Sequence, residues 1–264
     1  MAARKGVNVG SVPAGDFDYD RHGHGYAAHR QADPRIAEYV HRALGDARTV
    51  LNVGAGAGSY EPADRRVIAV EPSPVMRAQR PPHLLPAVDA TAERLPFDAR
   101  AFDAAMAMVT VHQWPDHATG LAELRRVTSG PVVVLTFDPE ALSRLWLAEY
   151  APEFMAAERR RMPAIGAICA ALGGHCDVLP VPVPIDCSDG FAEAYYARPE
   201  RFLDPAVRRA QSAWGFIDFA AGQRAVASLR ADLESGRWDE KYRDLRTQPQ
   251  FDGALRLVVG HPAD

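Results

Sequence analysis

Cysteine is scarce: Cys169, Cys176 and Cys187 are the three in 264 residues, an odd number with no CxxC spacing. That argues against a disulfide framework or a thiolate zinc site and fits a reducing cytoplasm. No apolar run approaches the roughly 18 residues that a membrane span needs, so no membrane partner is expected. The opening MAARKGVNVGSVPAG lacks the apolar stretch of a secretory signal, so export is not expected. A basic excess is also missing. Thirty Lys and Arg face 34 Asp and Glu, a net charge of −4, which disfavours nucleic acid as a partner. No internal repeat or low-complexity linker interrupts the chain.

What is present is ordinary globular material, 47% hydrophobic and 24% charged. The length suits one large domain, or a domain with a subdomain. Three stretches are distinguishable: an N-terminal helical lid segment (1–45), a binding core (46–138), and cap helices with further strands of the same sheet (139–264). In the first, Asp33 as N-cap, Pro34 at the first helical position and Gly45 after the end bracket a helix over Pro34–Leu44. In the second, short β-branched runs alternate with crossovers. Strand one is Thr49–Val53, strand two Val67–Val70, a weaker strand three Leu84–Val88, strand four Phe102–Val109 and strand five Pro131–Phe137. Asp116–Val127 carries apolar residues at helical spacing between strands four and five. This pattern predicts an α/β fold with a mostly parallel sheet covered on both faces. In the third stretch Val178–Ile185, dense in proline, can form only an edge or irregular strand.

The strongest local signal is VLNVGAGAGSY (Val50–Tyr60), a buried strand running into Gly54, Gly56 and Gly58. Glycines there let the backbone turn sharply and approach a ligand without Cβ clashes, at the strand ends where doubly wound sheets bind nucleotides. The spacing is GxGxG. A dinucleotide fingerprint needs GxGxxG, whose third glycine would fall at Ser59. Glu71 ends strand two, 17 residues after Gly54, where an acid can accept from a ribose diol. Asp89 ends strand three, where it can accept from an adenine amino group.

These residues in this order, VLNVGAGAGSY, AVEPS, VDATAERLPFDARAFDAAMAM and the HQWPD-to-ELRRV helix, resemble the class I S-adenosylmethionine-dependent methyltransferases, closest to the branch with an LPF…FD signature (the methyltransferase type 11 domain). The resemblance covers residues 48–138. It implies a Rossmann-like, seven-stranded sheet of order 3-2-1-4-5-7-6, with strand six near Asp177–Pro184 and an antiparallel strand seven at Ala254–Val259. It implies S-adenosylmethionine as cofactor, S-adenosylhomocysteine as product, and a cofactor-binding set of Tyr26, Arg30, Asn52, Gly54, Ala55, Gly56, Gly58, Glu71, Pro72, Met76, Asp89, Ala90 and Thr110. Two departures stand out. Asn52 occupies a place where the family usually has an acid. The first crossover is also short, with eight residues between Gly58 and Val67, one of them proline, too few for a full helix. Dipole support for the methionine carboxylate is then weak. Arg30, four residues after Tyr26, is the candidate to clamp it. His22, His24 and His29 lack a partnering acid motif, and no metal is expected.

Thr110–Trp114 lies at the mouth of the sheet. His112 can serve there as a base for the acceptor's proton, or it packs. Trp146, Tyr150, Phe191, Tyr195, Tyr196, Trp214, Phe216 and Phe219 either build the core or line a cap, and Trp114, Trp146, Tyr195 and Trp214 are the candidate acceptor-binding residues. The function expected is methyl transfer to a small-molecule acceptor, an aromatic or natural-product metabolite being in view, by a monomer or homodimer. The alternatives are an NAD-dependent oxidoreductase, which Ser59 and Asp89 disfavour, and a repurposed, non-catalytic protein that keeps S-adenosylmethionine.

Overall fold

The structure, a computed structural model, describes residues 29–262. Strands β1 (Thr49–Val53), β2 (Arg66–Val70), β3 (Ala104–Met108), β4 (Val132–Phe137), β5 (Cys176–Pro180), β6 (Val183–Pro184), β7 (Gln250–Phe251) and β8 (Leu255–Gly260) occur in chain order. Six of them form the central sheet, β2-β1-β3-β4-β8-β5, and β6 pairs with β7 apart from it. The first four of that order are mutually parallel, and β8 runs antiparallel to both β4 and β5.

The strands divide two cores by simple alternation. Leu51 and Val53 with Val132 and Val134 pack on Leu121 and Leu124 of α3 (His117–Val127) and on Ile168 of α6 (Ile165–Ala171). Val50, Val133 and Leu135 face the opposite way, onto Ile36 and Val40 of α1 (Pro34–Ala43). Asp33 caps α1, accepting from the Arg35 amide, with Pro34 at the first position, as the sequence predicts. Because both faces are covered, all six residues of β4 are buried.

Helix α2 (Pro74–Arg77) follows β2, and α4 (Leu147–Tyr150) and α5 (Pro152–Arg161) follow β4. Helices α7 (Pro205–Arg209), α8 (Phe219–Ser235) and α9 (Arg237–Tyr242), with intervening 3-10 turns, complete the cap.

The fold is the Rossmann-like α/β class expected, with one strand fewer. Strand three is reduced to a single parallel bridge, Val70 to Val88. Pro86 lies inside that run, and a residue without an N–H cannot sustain a ladder. The crossover from β1 to β2 holds turns and no helix, in keeping with its length.

Candidate active site

At the carboxyl end of β1 the chain turns through Gly54 and Gly56, with φ of +66° and +51°, a region that side chains other than glycine rarely enter. A Cβ on Gly54 would lie 2.2 Å from Thr110 Oγ1, so this glycine lets the β1 turn close against the end of β3. The Gly56 amide donates to Glu71 Oε2 at 2.8 Å, and the Ser73 amide donates to Oε1 at 2.9 Å. Two backbone donors thus aim the carboxylate that ends β2. These two bonds fix the orientation of the carboxylate at the floor of the site. A cleft of about 660 Å³ lies over this turn, lined by Arg30, Asn52, Gly54, Ala55, Gly56, Ala57, Ser59, Tyr60, Glu71, Met76, Met108, Val109, Thr110, Gln113 and Asp189.

Asn52 is buried beneath the cleft. Its Nδ2 donates to Glu61 Oε1 at 2.9 Å, while its Oδ1 has no hydrogen-bond partner among the described residues. Glu61 belongs to the short crossover and receives two bonds from the Arg80 guanidinium, each 3.0 Å, in a pair almost wholly buried. The acid missing at position 52 therefore stands one hydrogen bond away, already neutralised. A lone buried acceptor beside glycines and a held carboxylate fits a ligand that brings donors: an ammonium group and a ribose diol.

The opposite wall is a polar triad. Arg30 Nε donates to Asp189 Oδ1 at 2.6 Å, and the Tyr60 hydroxyl donates to Oδ2 at 2.7 Å. Burial, then the Asp189 charge, pushes the Tyr60 hydroxyl well above its ordinary range, so it stays a donor. Arg30 and Asp189 also pair as an antiparallel bridge, and the Gly190 amide donates to the His29 carbonyl. Arg30 reaches the cleft as the sequence suggests, but with its charge answered by Asp189.

A second cleft, about 550 Å³, adjoins the first. Arg30, Val109 and Gln113 line both. Its walls are largely apolar: Phe137, Leu142, Leu145, Phe154, Met155, Met162 and Phe191, with His112, Glu158, Glu193, Gln211 and Ser212 among them. His112 sits on the 3-10 turn Val111–Gln113 after β3. Burial first, then Arg161 and Arg30, holds its imidazole well below the usual range, so it is neutral at physiological pH. Its Nε2 lies 3.3 Å from Gln113 Nε2, and its Nδ1 has no partner among the described residues.

Several expected residues are placed elsewhere. Tyr26, His22 and His24 lie outside the described residues. Gly58, Pro72, Asp89 and Ala90 do not line the first cleft. The Asp89 carboxylate turns outward to Arg77 at 3.0 Å, because only one bridge holds its strand. Trp114, Trp146, Tyr195 and Trp214 line neither cleft. Trp114 occupies the space that a side chain at Gly120 would fill. Trp146 is buried, donates to the Tyr196 carbonyl and meets Tyr150, Phe202 and Trp238 edge-on. Tyr195 packs on Phe202, and Trp214 on Phe154. Large rings bury most area by stacking together inside the cap, so Trp146 and Tyr195 are core, whereas Trp114 and Trp214 are half-buried against it. Of that aromatic set Phe191 alone lines the second cleft. Sequence reasoning missed Tyr60, although it closes the glycine-turn motif, and Asp189, Phe137, Phe154 and Glu193, which carry no local motif.

A family model described as a methyltransferase domain matches residues 51–134, the span from β1 to β4. The comparison with curated proteins returned no match. Among solved structures, the chain is similar to a protein of Anabaena variabilis ATCC 29413 named as a methyltransferase from an antibiotic biosynthesis pathway, at 28% identity, TM-score 0.79, covering 88% of this chain and 98% of that one. A protein of Thermotoga maritima named as an S-adenosylmethionine-dependent methyltransferase shares the fold at 16% identity and TM-score 0.55, over 93% and 98% of the two chains. Residues 51–134, with the glycine turn, Glu71 and the span from β1 to β4, thus form a methyltransferase domain, set in a chain whose fold is that of S-adenosylmethionine-dependent methyltransferases.

Proposed function

We propose that this protein transfers the methyl group of S-adenosylmethionine to a small, largely apolar molecule seated in the second cleft. The observation that carries this is the shared boundary: Arg30, Val109 and Gln113 line both clefts, so two ligands meet there. In the first cleft Glu71 would accept from the ribose hydroxyls, Asn52 Oδ1 from the ammonium group of the methionine moiety, and Arg30 would face its carboxylate. Gly54, Ala55 and Gly56 leave room for the ligand backbone, Met76 offers apolar contact and Thr110 closes the floor.

When bound, S-adenosylmethionine supplies a methyl group already activated by its sulfonium. What remains for the protein is alignment and the exclusion of water, which the apolar walls of the second cleft provide. Where the acceptor carries a proton that must leave, neutral His112 takes it. The ring nitrogen that carries no hydrogen, either Nε2 beside the Gln113 amide or the unpartnered Nδ1, is the acceptor that a base needs. The pathway named for the Anabaena relative supports a small-molecule acceptor.

Turnover on a panel of small aromatic acceptors, read as a mass gain of one methyl, tests this. His112→Ala should lower turnover by about 10²–10⁴-fold while S-adenosylhomocysteine affinity holds. Because burial keeps the imidazole neutral, the acid limb of the wild-type profile should lie well below pH 6.5. Near wild-type turnover in His112→Ala, with an unshifted profile, would assign this residue to packing.

A further inference from the structure

The second cleft holds a buried acid that the proposed chemistry does not use. Glu193 lies on the 3-10 turn Ala192–Tyr195 and is 2% exposed. Its Oε1 accepts from the Ala254 amide at 2.7 Å. A Cβ on Gly253 would come within 2.3 Å of the same carboxyl, so the chain before β8 folds closely over it. Its Oε2 is buried and has no hydrogen-bond partner among the described residues, where Glu193 also has no ion pair. Around it stand Phe137, Leu142, Phe154 and Phe191 as fellow lining residues. A polar atom left without a partner in such a place is costly unless a ligand satisfies it.

The hydrogen bonding decides where the proton sits. Oε1 is the oxygen that accepts from the backbone, so in the neutral acid Oε2 bears the hydrogen. Burial raises this carboxyl to about 7, against the backbone donors of Ala254 and Leu255 and the charges of Arg256 and Arg144. Arg256 is itself bonded to the Gly253 and Leu255 carbonyls and lies 3.7 Å from Asp138. The other charged or titratable groups lining the cleft are Arg30, Glu158 and His112.

We propose that Glu193, as the neutral acid, selects the acceptor: its Oε2–H donates a hydrogen bond to an oxygen atom on an uncharged, ring-sized apolar molecule. The proposal rests on the second cleft being the acceptor site. A cationic amine is the competing occupant, since it would hold the carboxyl ionised. Arg161, whose charge acts on His112, opposes a further cation there, while the charge of Arg30 is already answered by Asp189.

Four probes of one shape separate these cases: naphthalene, 2-methoxynaphthalene, 2-naphthol and 2-(aminomethyl)naphthalene, titrated by ligand-observed NMR onto the full chain with S-adenosylhomocysteine present. 2-Methoxynaphthalene, whose oxygen can only accept, should bind more tightly at pH 6 than at pH 8, by up to about tenfold, as Glu193 changes from mostly protonated to mostly ionised, while 2-naphthol, which can also donate to the carboxylate, should respond less. Naphthalene should bind equally at both. Glu193→Gln keeps an acceptor for the Ala254 amide and a donor in place of Oε2–H, so it should bind the oxygenated probes alike at both pH values. Equal binding of 2-methoxynaphthalene by the wild type at both pH values would overturn the proposal, as would a pH response surviving in Glu193→Gln or an amine that binds best and more tightly at pH 8. In each of those results naphthalene still occupies the cleft and the acceptor site stands. If no probe binds, the acceptor site itself is misplaced and both ideas fall.

Discussion

Glu71 is tied to the glycine turn before any ligand arrives: it holds the Gly56 amide with one oxygen and the Ser73 amide with the other. In the proposed complex the same carboxylate would accept from the ribose diol, a charge-assisted contact worth about 1.5–3 kcal/mol in all. Glu71→Ala should therefore weaken S-adenosylhomocysteine by roughly 10- to 150-fold in calorimetry. An effect below about twofold would mean that the ribose is held elsewhere. Gly54, Gly56 and Glu71 could be read from sequence because their chemistry is local: a strand, a turn needing positive φ, and an acid at the next strand end. Asp189 and Glu193 could not. Asp189 meets Tyr60 across 129 positions, and Glu193 is defined by its enclosure, which no spacing records. The four aromatic candidates line neither cleft, for the converse reason. A ring at helical spacing reads the same whether it faces a ligand or, like Trp146, other rings.

Among elements, the strands with uninterrupted β-branched runs were legible almost to the residue, as β1 and β4 show. The Leu84–Val88 run was not, because Pro86 removes a donor in its middle. The pairing of the segment at His29 and Arg30 with the loop at Asp189 and Gly190 is the contact that composition could not foresee. It joins the chain ahead of α1 to the cap by two backbone contacts and a nearly buried ion pair. Removing one member of such a pair leaves the other charged and desolvated. Arg30→Ala should accordingly cost about 3–5 kcal/mol, seen as a lowered urea midpoint with an unchanged slope. A loss under about 1 kcal/mol would show that Tyr60 alone satisfies Asp189.

On the scale of the whole molecule, the parallel strands deliver a glycine turn and an acid to one end of the sheet, and the cap closes an apolar chamber beside them. In the proposed reaction neither cleft suffices for transfer alone. The division of labour is testable by blocking one without touching the other. Leu142 lines the second cleft and not the first, so Leu142→Trp should fill acceptor space. The decisive measurement is S-adenosylhomocysteine affinity and acceptor-dependent methyl transfer on this one folded variant. Affinity within about twofold of wild type, with transfer lost, is the expected result, since only an interaction on the acceptor side has been removed. Undiminished transfer, or loss of both together, would contradict a two-cleft methyltransferase.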